Sequence, residues 1–211
     1  MRKVARAILV EQLPRSPVFT TAEAARRAGV THQAASRDLS SLADEGAVTR
    51  VRRGLWALTG HPDFSPFTVV PHLVSEGQEA YVSLLSALNL HGMIEQVPRR
   101  IQVVATARRA DLETPVGTFE FHRVAEPLFG GFEPHGSLRQ FDLATPEKAL
   151  FDILYLSAQK GRRFGHLPEL TLPGDFSREA VEGWIERIEN VLLRTAVEDR
   201  WHELEGRREP S

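Results

Sequence analysis

Cysteine is absent from this chain of 211 residues, so disulfide bonds and thiolate metal sites are excluded. Long hydrophobic runs are absent as well, and no stretch approaches the roughly 18 apolar residues of a membrane-spanning helix. The N-terminus begins with Met1-Arg2-Lys3, but the apolar run from Ala7 to Val10 is too short for a secretory signal. We therefore expect a cytoplasmic protein that does not associate with a membrane.

Motifs of catalysis are also missing. The chain has no glycine-rich phosphate loop and no Gly-x-Ser-x-Gly elbow, and its eight histidines show no metal-binding spacing. Asp142 with Glu147-Lys148 resembles part of a nuclease centre, but adjacent side chains on a helix diverge by about 100° and would not face one metal. We expect no enzymatic activity, no catalytic residues, no cofactor and no metal site.

Basic residues are distributed unevenly along the chain. Residues 1–60 carry ten Lys and Arg against five acidic residues, whereas residues 61–211 carry 16 basic and 23 acidic residues. A basic N-terminal region on an acidic body indicates that the N-terminal region is the part that binds a polyanion.

The first 60 residues have the pattern of a helix-turn-helix. Apolar periodicity over residues 4–13 predicts a first helix. Thr20 and Glu23 have the spacing of a capping box, which predicts a second helix that ends at Gly29. Thr31 can cap a third helix, which would be the one that reads DNA.

The third helix and the hairpin behind it are the predicted DNA-binding elements. Two short strands joined at Arg52-Arg53-Gly54 form the wing, whose tip would lie against phosphate or in the minor groove. Arginine, glutamine and short polar side chains on the outer face of the helix suit the major groove. The predicted DNA-binding residues are Thr31, His32, Gln33, Ser36, Arg37, Ser40, Arg52 and Arg53.

The remainder of the chain alternates between strand and helix patterns. The predicted fold class is therefore α+β, with an N-terminal winged helix-turn-helix followed by a mixed α/β domain with a helical C-terminus. We place the winged helix at residues 1–60, a linker at 61–70 and the second domain at 71–211. One helical region with a bend near Asn190 is expected to begin at Arg178. Its apolar stripe comprises Val181, Trp184, Ile185, Ile188, Leu192, Ala196 and Trp201.

Several segments of the second domain resemble the AbiEi-type antitoxins of bacteria. The resemblance lies in residues 81–92, which include Ser-Ala-Leu and His-Gly, in Val97-Pro98, in the strand at 101–106 and in Ala144-Thr145-Pro146-Glu147-Lys148-Ala149-Leu150-Phe151-Asp152. These segments follow the winged helix in the order seen in that family, and the resemblance spans roughly residues 5–160.

The resemblance implies that the protein is the antitoxin of a type IV toxin–antitoxin system and has two tasks. The winged helix would repress its own operon by binding double-stranded DNA at inverted repeats in the promoter. The second domain, an antitoxin domain in this interpretation, would counteract a nucleotidyltransferase-like toxin encoded beside it. Direct contact with the toxin is not implied.

Two other functions remain open. A winged-helix transcriptional regulator with a ligand-sensing C-terminal domain would have a lined pocket and no neighbouring toxin gene, whereas an enzyme fused to a winged helix is disfavoured by the missing motifs. The arginine pairs of the body form a candidate second basic patch, which would extend the DNA footprint, bind the toxin or lie in ordinary solvated loops. This patch comprises Arg99, Arg100, Arg108 and Arg109, with Arg162-Arg163 as a further pair.

Overall fold

The computed structural model of the protein describes residues 16–137, 139–159 and 167–206. The predicted first helix at 4–13 and the pair Arg162-Arg163 lie outside these described residues. Within them the chain forms a mixed α+β fold, with a winged helix at its N-terminal end and two helices at its C-terminal end. The predicted fold class is confirmed.

The winged helix is built from three short strands and two helices. In chain order these are β1 (Val18–Thr20), α1 (Thr21–Ala28), α2 (His32–Asp44), β2 (Thr49–Arg52) and β3 (Leu55–Ala57). The strands form an antiparallel sheet in the order β1-β3-β2. Sequence periodicity does not predict β1, because three residues are too few to show an alternation.

Local capping signals set the ends of both helices. In the predicted capping box, the Glu23 N–H donates to the Thr20 hydroxyl at 3.2 Å and the Thr20 N–H donates to the Glu23 carboxylate at 2.7 Å. Gly29 ends α1 in the left-handed region, at a φ of 63°. The Thr31 hydroxyl then accepts the Ala34 N–H at 3.2 Å and begins α2. The predicted helix-turn-helix is confirmed.

A small apolar core holds these helices on their sheet. The indole N–H of Trp56 donates to the Thr21 hydroxyl at 2.9 Å, and both side chains are buried, so β3 is fixed to the start of α1. This head core consists of Phe19, Ala24, Ala25, Ala35, Leu39, Leu42, Val48, Trp56 and Leu58.

Residues 61–79 pass from the winged helix to the body as a packed segment. His61 is buried, and a 3-10 helix over Pro66–His72 buries Thr68, Val69 and Val70. The larger apolar cluster of the protein contains Val69, Val70 and Leu73 together with Val18, Val51, Leu55 and Ala57 of the winged helix. One face of the winged-helix sheet thus shares a core with the body. The predicted domain boundaries at residues 60 and 70 stay a prediction.

The body is a six-stranded mixed sheet in the order β6-β7-β5-β4-β9-β8. Its strands are β4 (Ala80–Val82), β5 (Ile101–Ala105), β6 (Leu112–Thr114), β7 (Gly117–His122), β8 (Phe132–His135) and β9 (Phe141–Ala144). The pairs β5–β7 and β4–β9 are parallel, and the other neighbours are antiparallel. Strands far apart in sequence therefore become neighbours at the centre of the sheet.

Among its described residues the body also has four α-helices: α3 (Leu84–Leu90), α4 (Pro146–Ala158), α5 (Arg178–Glu186) and α6 (Val191–Gly206). Helix α4 begins after Thr145, whose hydroxyl accepts the Lys148 N–H at 3.2 Å, and Pro146 occupies the first turn. Almost every residue of α4 is buried, and it packs against α3, α5 and α6. It is the central helix of the body.

The C-terminal region differs from the single bent helix that the sequence predicts. The chain leaves the helical path after Glu186, and the Asn190 side chain accepts the Leu193 N–H at 3.0 Å, so a new helix begins there. This break resets the helical phase of the apolar stripe. Leu192 is consequently 84% exposed, while Val197 takes the buried position.

Candidate nucleic-acid interface

The outer face of α2 presents the residues predicted to read base pairs. Thr31, His32, Gln33, Arg37 and Ser40 are exposed, and Ser36 is half-buried. The opposite face of α2 enters the head core, so the helix has one orientation only. The first turn carries no acidic side chain that would repel phosphate. The polar face is therefore available to the major groove, as a recognition helix requires.

The wing is a tight hairpin with an arginine at its tip. Gly54 has a φ of 80°, a conformation that favours glycine, and its carbonyl accepts the Thr21 N–H at 2.9 Å. This bond fixes the tip of the wing to the start of α1. Arg53, next to the turn, is exposed. Arg53 and the outer face of α2 are thus held on one packed unit.

Arg50 is a further exposed arginine of the winged helix, outside the predicted set. It is exposed on β2, and its guanidinium lies 5.6 Å from the centroid of the Trp56 ring. The contact holds the arginine against the sheet while its charge stays in solvent. The signal was present in the alternation along β2, where Arg50 precedes the buried Val51.

Arg52 lies elsewhere than predicted. It is half-buried, and its guanidinium donates to the carbonyl of His72 in the segment that leads to the body. The cause is a bulge: Arg50 pairs with Trp56, whereas Arg52 pairs with Leu55, so two residues of β2 oppose one of β3. The extra residue reverses the alternation of side chains. Arg52 consequently turns towards the body instead of joining Arg53 at the tip.

Charged groups meet where the winged helix contacts the body. Burial lowers the pKa of His72; the Glu23 carboxylate raises it, and the Arg52 guanidinium lowers it further, leaving it below its usual value. Burial raises the pKa of Glu23, but hydrogen bonds from Thr20 and the charges of His72 and Arg27 leave it below its ordinary value. The capping box of α1 is therefore part of the junction with the body.

The candidate second basic patch comprises two pairs, one before β5 and one after it. Arg99 and Arg100 precede β5 and are exposed, and Arg100 forms an ion pair with Asp111 at 3.2 Å. Arg108 and Arg109 follow β5, and the Arg109 guanidinium lies 5.3 Å from the centroid of the Phe121 ring. Burial and the positive charge of Arg52 lower the pKa of Arg109, so these two arginines repel each other.

The most deeply buried polar groups belong to the segments that resemble the antitoxins. Lys148 and Asp152, one turn apart on α4, form an ion pair in which both side chains are 0% exposed. The other oxygen of Asp152 accepts hydrogen bonds from the Tyr81 hydroxyl at 3.1 Å and the Ser83 hydroxyl at 2.7 Å. We call these four residues the buried ion-pair network. It joins β4 and the start of α3 to α4.

Aromatic rings enclose the ammonium group of this network. The Lys148 Nζ lies 4.8 Å from the ring centroid of Trp184, 5.0 Å from that of Phe151 and 5.5 Å from that of Tyr81. Burial lowers the pKa of Lys148 and raises that of Asp152, and each charge opposes the shift of the other. The enclosure by rings and the absence of exposed surface indicate a role in packing.

The groups that suggested a nuclease centre are separated in the fold. Lys148 points to Asp152, and the Glu147 carboxylate accepts the Ser177 N–H at 3.0 Å. Asp142 lies in β9, where burial and the nearby Glu79 raise its pKa. The three side chains therefore serve three different contacts and do not assemble around one ion.

Comparisons with known proteins agree with the geometry of the winged helix. Residues 10–59 match the sequence profile of the family described as "Transcriptional regulator, AbiEi antitoxin". The N-terminal region is thus similar to the AbiEi antitoxin family. A crystal structure of the RV2827C protein from Mycobacterium tuberculosis matches 99% of this chain and 82% of its own chain, with 18% sequence identity and a TM-score of 0.55. No curated protein matches the sequence.

The family profile and the solved structure match different parts of the chain. The AbiEi profile covers the winged helix, which is therefore similar to transcriptional regulators of the antitoxin class. The mycobacterial structure covers winged helix and body together and shows a shared fold. None of the described helices is long and apolar enough to cross a membrane.

Proposed function

We propose that this AbiEi-family protein represses its own operon and counteracts a nucleotidyltransferase-like toxin encoded beside it, as a type IV antitoxin. The observation that carries the DNA-binding half is the exposed polar face of α2 on the same packed unit as the exposed Arg53 of the wing. Two winged helices, one on each half-site, would occupy inverted repeats in the promoter.

The contacts divide into two kinds. Gln33 and Arg37 lie on the exposed face of α2, where an amide suits adenine and a guanidinium suits guanine. Arg53 and Arg50 lie on the wing, where they would neutralise phosphates. Arg52 is left out of this set because it donates to the His72 carbonyl. Thr31, His32, Ser36 and Ser40 complete the proposed surface.

A gel-shift titration of the promoter fragment tests the DNA-binding half. We expect Arg37→Ala to weaken binding about tenfold, within the roughly 1–3 kcal/mol of a base contact. Arg178→Ala on α5 is the matched control, because it removes one exposed arginine from the body, and it should stay within twofold of the unaltered protein. If the unaltered protein fails to shift the fragment at low salt, the proposed repression is wrong.

Co-expression with the neighbouring gene tests the antitoxin half. Growth should stop when that gene is expressed alone and resume when this protein is present. Arg37→Ala should weaken repression of the promoter but still restore growth, because neutralisation is assigned to the body. A neighbouring gene that is harmless, or one whose toxicity this protein does not relieve, would contradict the proposal.

A pull-down between the two proteins addresses the type IV mechanism. Antagonism without stable contact predicts full rescue of growth together with no co-purification of the toxin. Co-purification in a fixed ratio would retain the antitoxin function but replace the type IV mechanism by direct binding.

A further inference from the structure

We propose that a groove beside β7 and α4, where Arg108, Arg109 and Arg123 surround an unfilled space, binds a small phosphorylated ligand such as a nucleoside triphosphate. The groove has a volume of about 800 Å³. This is within the range of roughly 300–1,000 Å³ typical of small-molecule sites. The inference does not depend on the proposed repression or antitoxin function. We name the space the arginine groove.

The charge of the arginine groove fits phosphate. Among the described residues, none of its three arginines forms an ion pair, in contrast to Arg100, which is neutralised by Asp111. Glu126 is the one carboxylate in the lining, and it is exposed. Guanidinium groups bind phosphate through two parallel hydrogen bonds, which a lysine cannot provide. A phosphate group would supply the acceptors that these arginines lack within the fold.

One of the three arginines is already held in place. The Arg109 guanidinium stacks over Phe121, at 5.3 Å from the ring centroid, and is half-buried. A side chain that is ordered before binding loses less conformational entropy when the ligand arrives. Burial and the charge of Arg52 lower its pKa, so an anion placed there would relieve an existing repulsion.

The other residues that line the arginine groove suit the base of a nucleotide. Tyr155 of α4 is nine-tenths buried or more but reaches the groove, and its ring stacks on Phe151 at 5.9 Å. Gln159, just beyond the end of α4, adds an amide that can donate and accept hydrogen bonds. An aromatic edge and an amide beside three guanidiniums combine contacts for a base with contacts for phosphates.

The surroundings favour a free ligand over duplex DNA. Residues 61–211 carry 23 acidic residues against 16 basic ones, and Glu126 lies in the groove itself. A small ligand fits within the arginine groove, whereas a duplex would extend beyond it onto a body that carries net negative charge.

Calorimetric titration of the full chain with ATP, pyrophosphate and adenosine tests the inference. We expect saturable binding of ATP, weaker binding of pyrophosphate and none of adenosine, because the phosphates supply most of the attraction. Arg123→Gln and Arg109→Gln should each weaken ATP binding at least tenfold. Arg100→Gln is the matched control and should change it less than twofold. Arg108 and Arg123 are both exposed, so Arg108→Gln and Arg123→Gln preserve the test if Arg109→Gln does not fold.

Three outcomes would overturn the inference. The first is that neither ATP nor pyrophosphate shows saturable binding. The second is that Arg100→Gln weakens ATP binding as much as Arg123→Gln does. The third is that Arg37→Ala combined with Arg53→Ala abolishes ATP binding, which would assign the anion to the winged helix. A titration with duplex DNA is a further test that decides between a free nucleotide and nucleic acid. If Arg123→Gln weakens binding of a random duplex while ATP does not bind at all, the groove contacts nucleic acid and not a free nucleotide.

Discussion

The winged helix and the body use charged side chains in opposite ways. The winged helix keeps Arg37, Arg50 and Arg53 in solvent, and its core is apolar apart from the Trp56–Thr21 hydrogen bond. The body encloses the Lys148–Asp152 pair completely and surrounds it with aromatic rings. An exposed charge is free to meet a partner, whereas an enclosed one stabilises a particular arrangement of helices and strands. The predictions below test that difference.

The largest effect is expected from breaking the buried ion-pair network. Lys148→Met leaves the Asp152 carboxylate buried without its cation, which should lower the free energy of unfolding by about 3–5 kcal/mol. The double variant Lys148→Met with Asp152→Asn removes both charges and should cost less than the sum of the two single changes. Urea denaturation of the three variants measures the coupling.

A surface ion pair provides the control for this experiment. Arg178 and Glu205 lie 3.1 Å apart, with the Arg178 side chain 63% exposed. Arg178→Ala should change stability by less than about 1 kcal/mol. If Lys148→Met costs no more than Arg178→Ala, or if the double-variant costs are additive, the buried pair does not hold the body together.

Two glycines with similar backbone angles allow the stability cost of overpacking to be separated from the cost of backbone strain. A Cβ on Gly131, at a φ of 68°, would lie 2.6 Å from Trp184 and 3.0 Å from Lys148, whereas a Cβ on Gly54, at a φ of 80°, would meet nothing within 4 Å. Gly131→Ala should destabilise the protein by about 3 kcal/mol, from backbone strain and overpacking together. Gly54→Ala should cost about 1 kcal/mol, from backbone strain alone. Equal costs in urea denaturation would show that Trp184 moves aside freely.

Within the winged helix, base contacts and phosphate contacts should respond differently to salt. Gln33→Ala should weaken operator binding by roughly 1–3 kcal/mol and leave binding to random DNA nearly unchanged. Arg53→Ala should weaken binding to both DNAs alike and reduce the slope of log K against log salt by about one. Titrations at several salt concentrations measure both. Identical behaviour of the two variants would refute the assignment of α2 to bases and of the wing to phosphates.

The features that sequence predicts best are those set by neighbouring residues. The capping box of Thr20 and Glu23, the turn at Gly29 and the cap at Thr31 each depend on residues a few positions apart, and all three occur as predicted. The hairpin around Gly54 is equally local. The helix-turn-helix and the wing could therefore be derived from the printed sequence alone.

The features that sequence misses depend on residues far apart in the chain. Arg52 leaves the wing tip because a bulge, invisible in a pattern of three or four residues, turns it to His72. Lys148 looks like a surface residue at a helix start until Tyr81 and Ser83, about seventy positions away, complete its surroundings. The His91 imidazole likewise donates at 2.7 Å to the carbonyl of Ala144 in β9, 53 positions further along the chain. These contacts follow from strand order, which local periodicity does not encode.

The smallest effect concerns the capping box where the winged helix meets the body. Glu23 has a pKa below its ordinary value, so its contribution to stability is complete above roughly pH 4.3 and is lost as the pH falls through the depressed pKa. Glu23→Gln removes the charge and should cost up to about 1 kcal/mol at pH 7. The difference in unfolding free energy between the two proteins should shrink towards zero as the pH falls below 4. Thr31→Val removes the simpler cap of α2, which involves no carboxylate, and should cost about 1 kcal/mol at every pH. A Glu23→Gln deficit that stays constant with pH, like that of Thr31→Val, would mean that shape and not charge stabilises the junction.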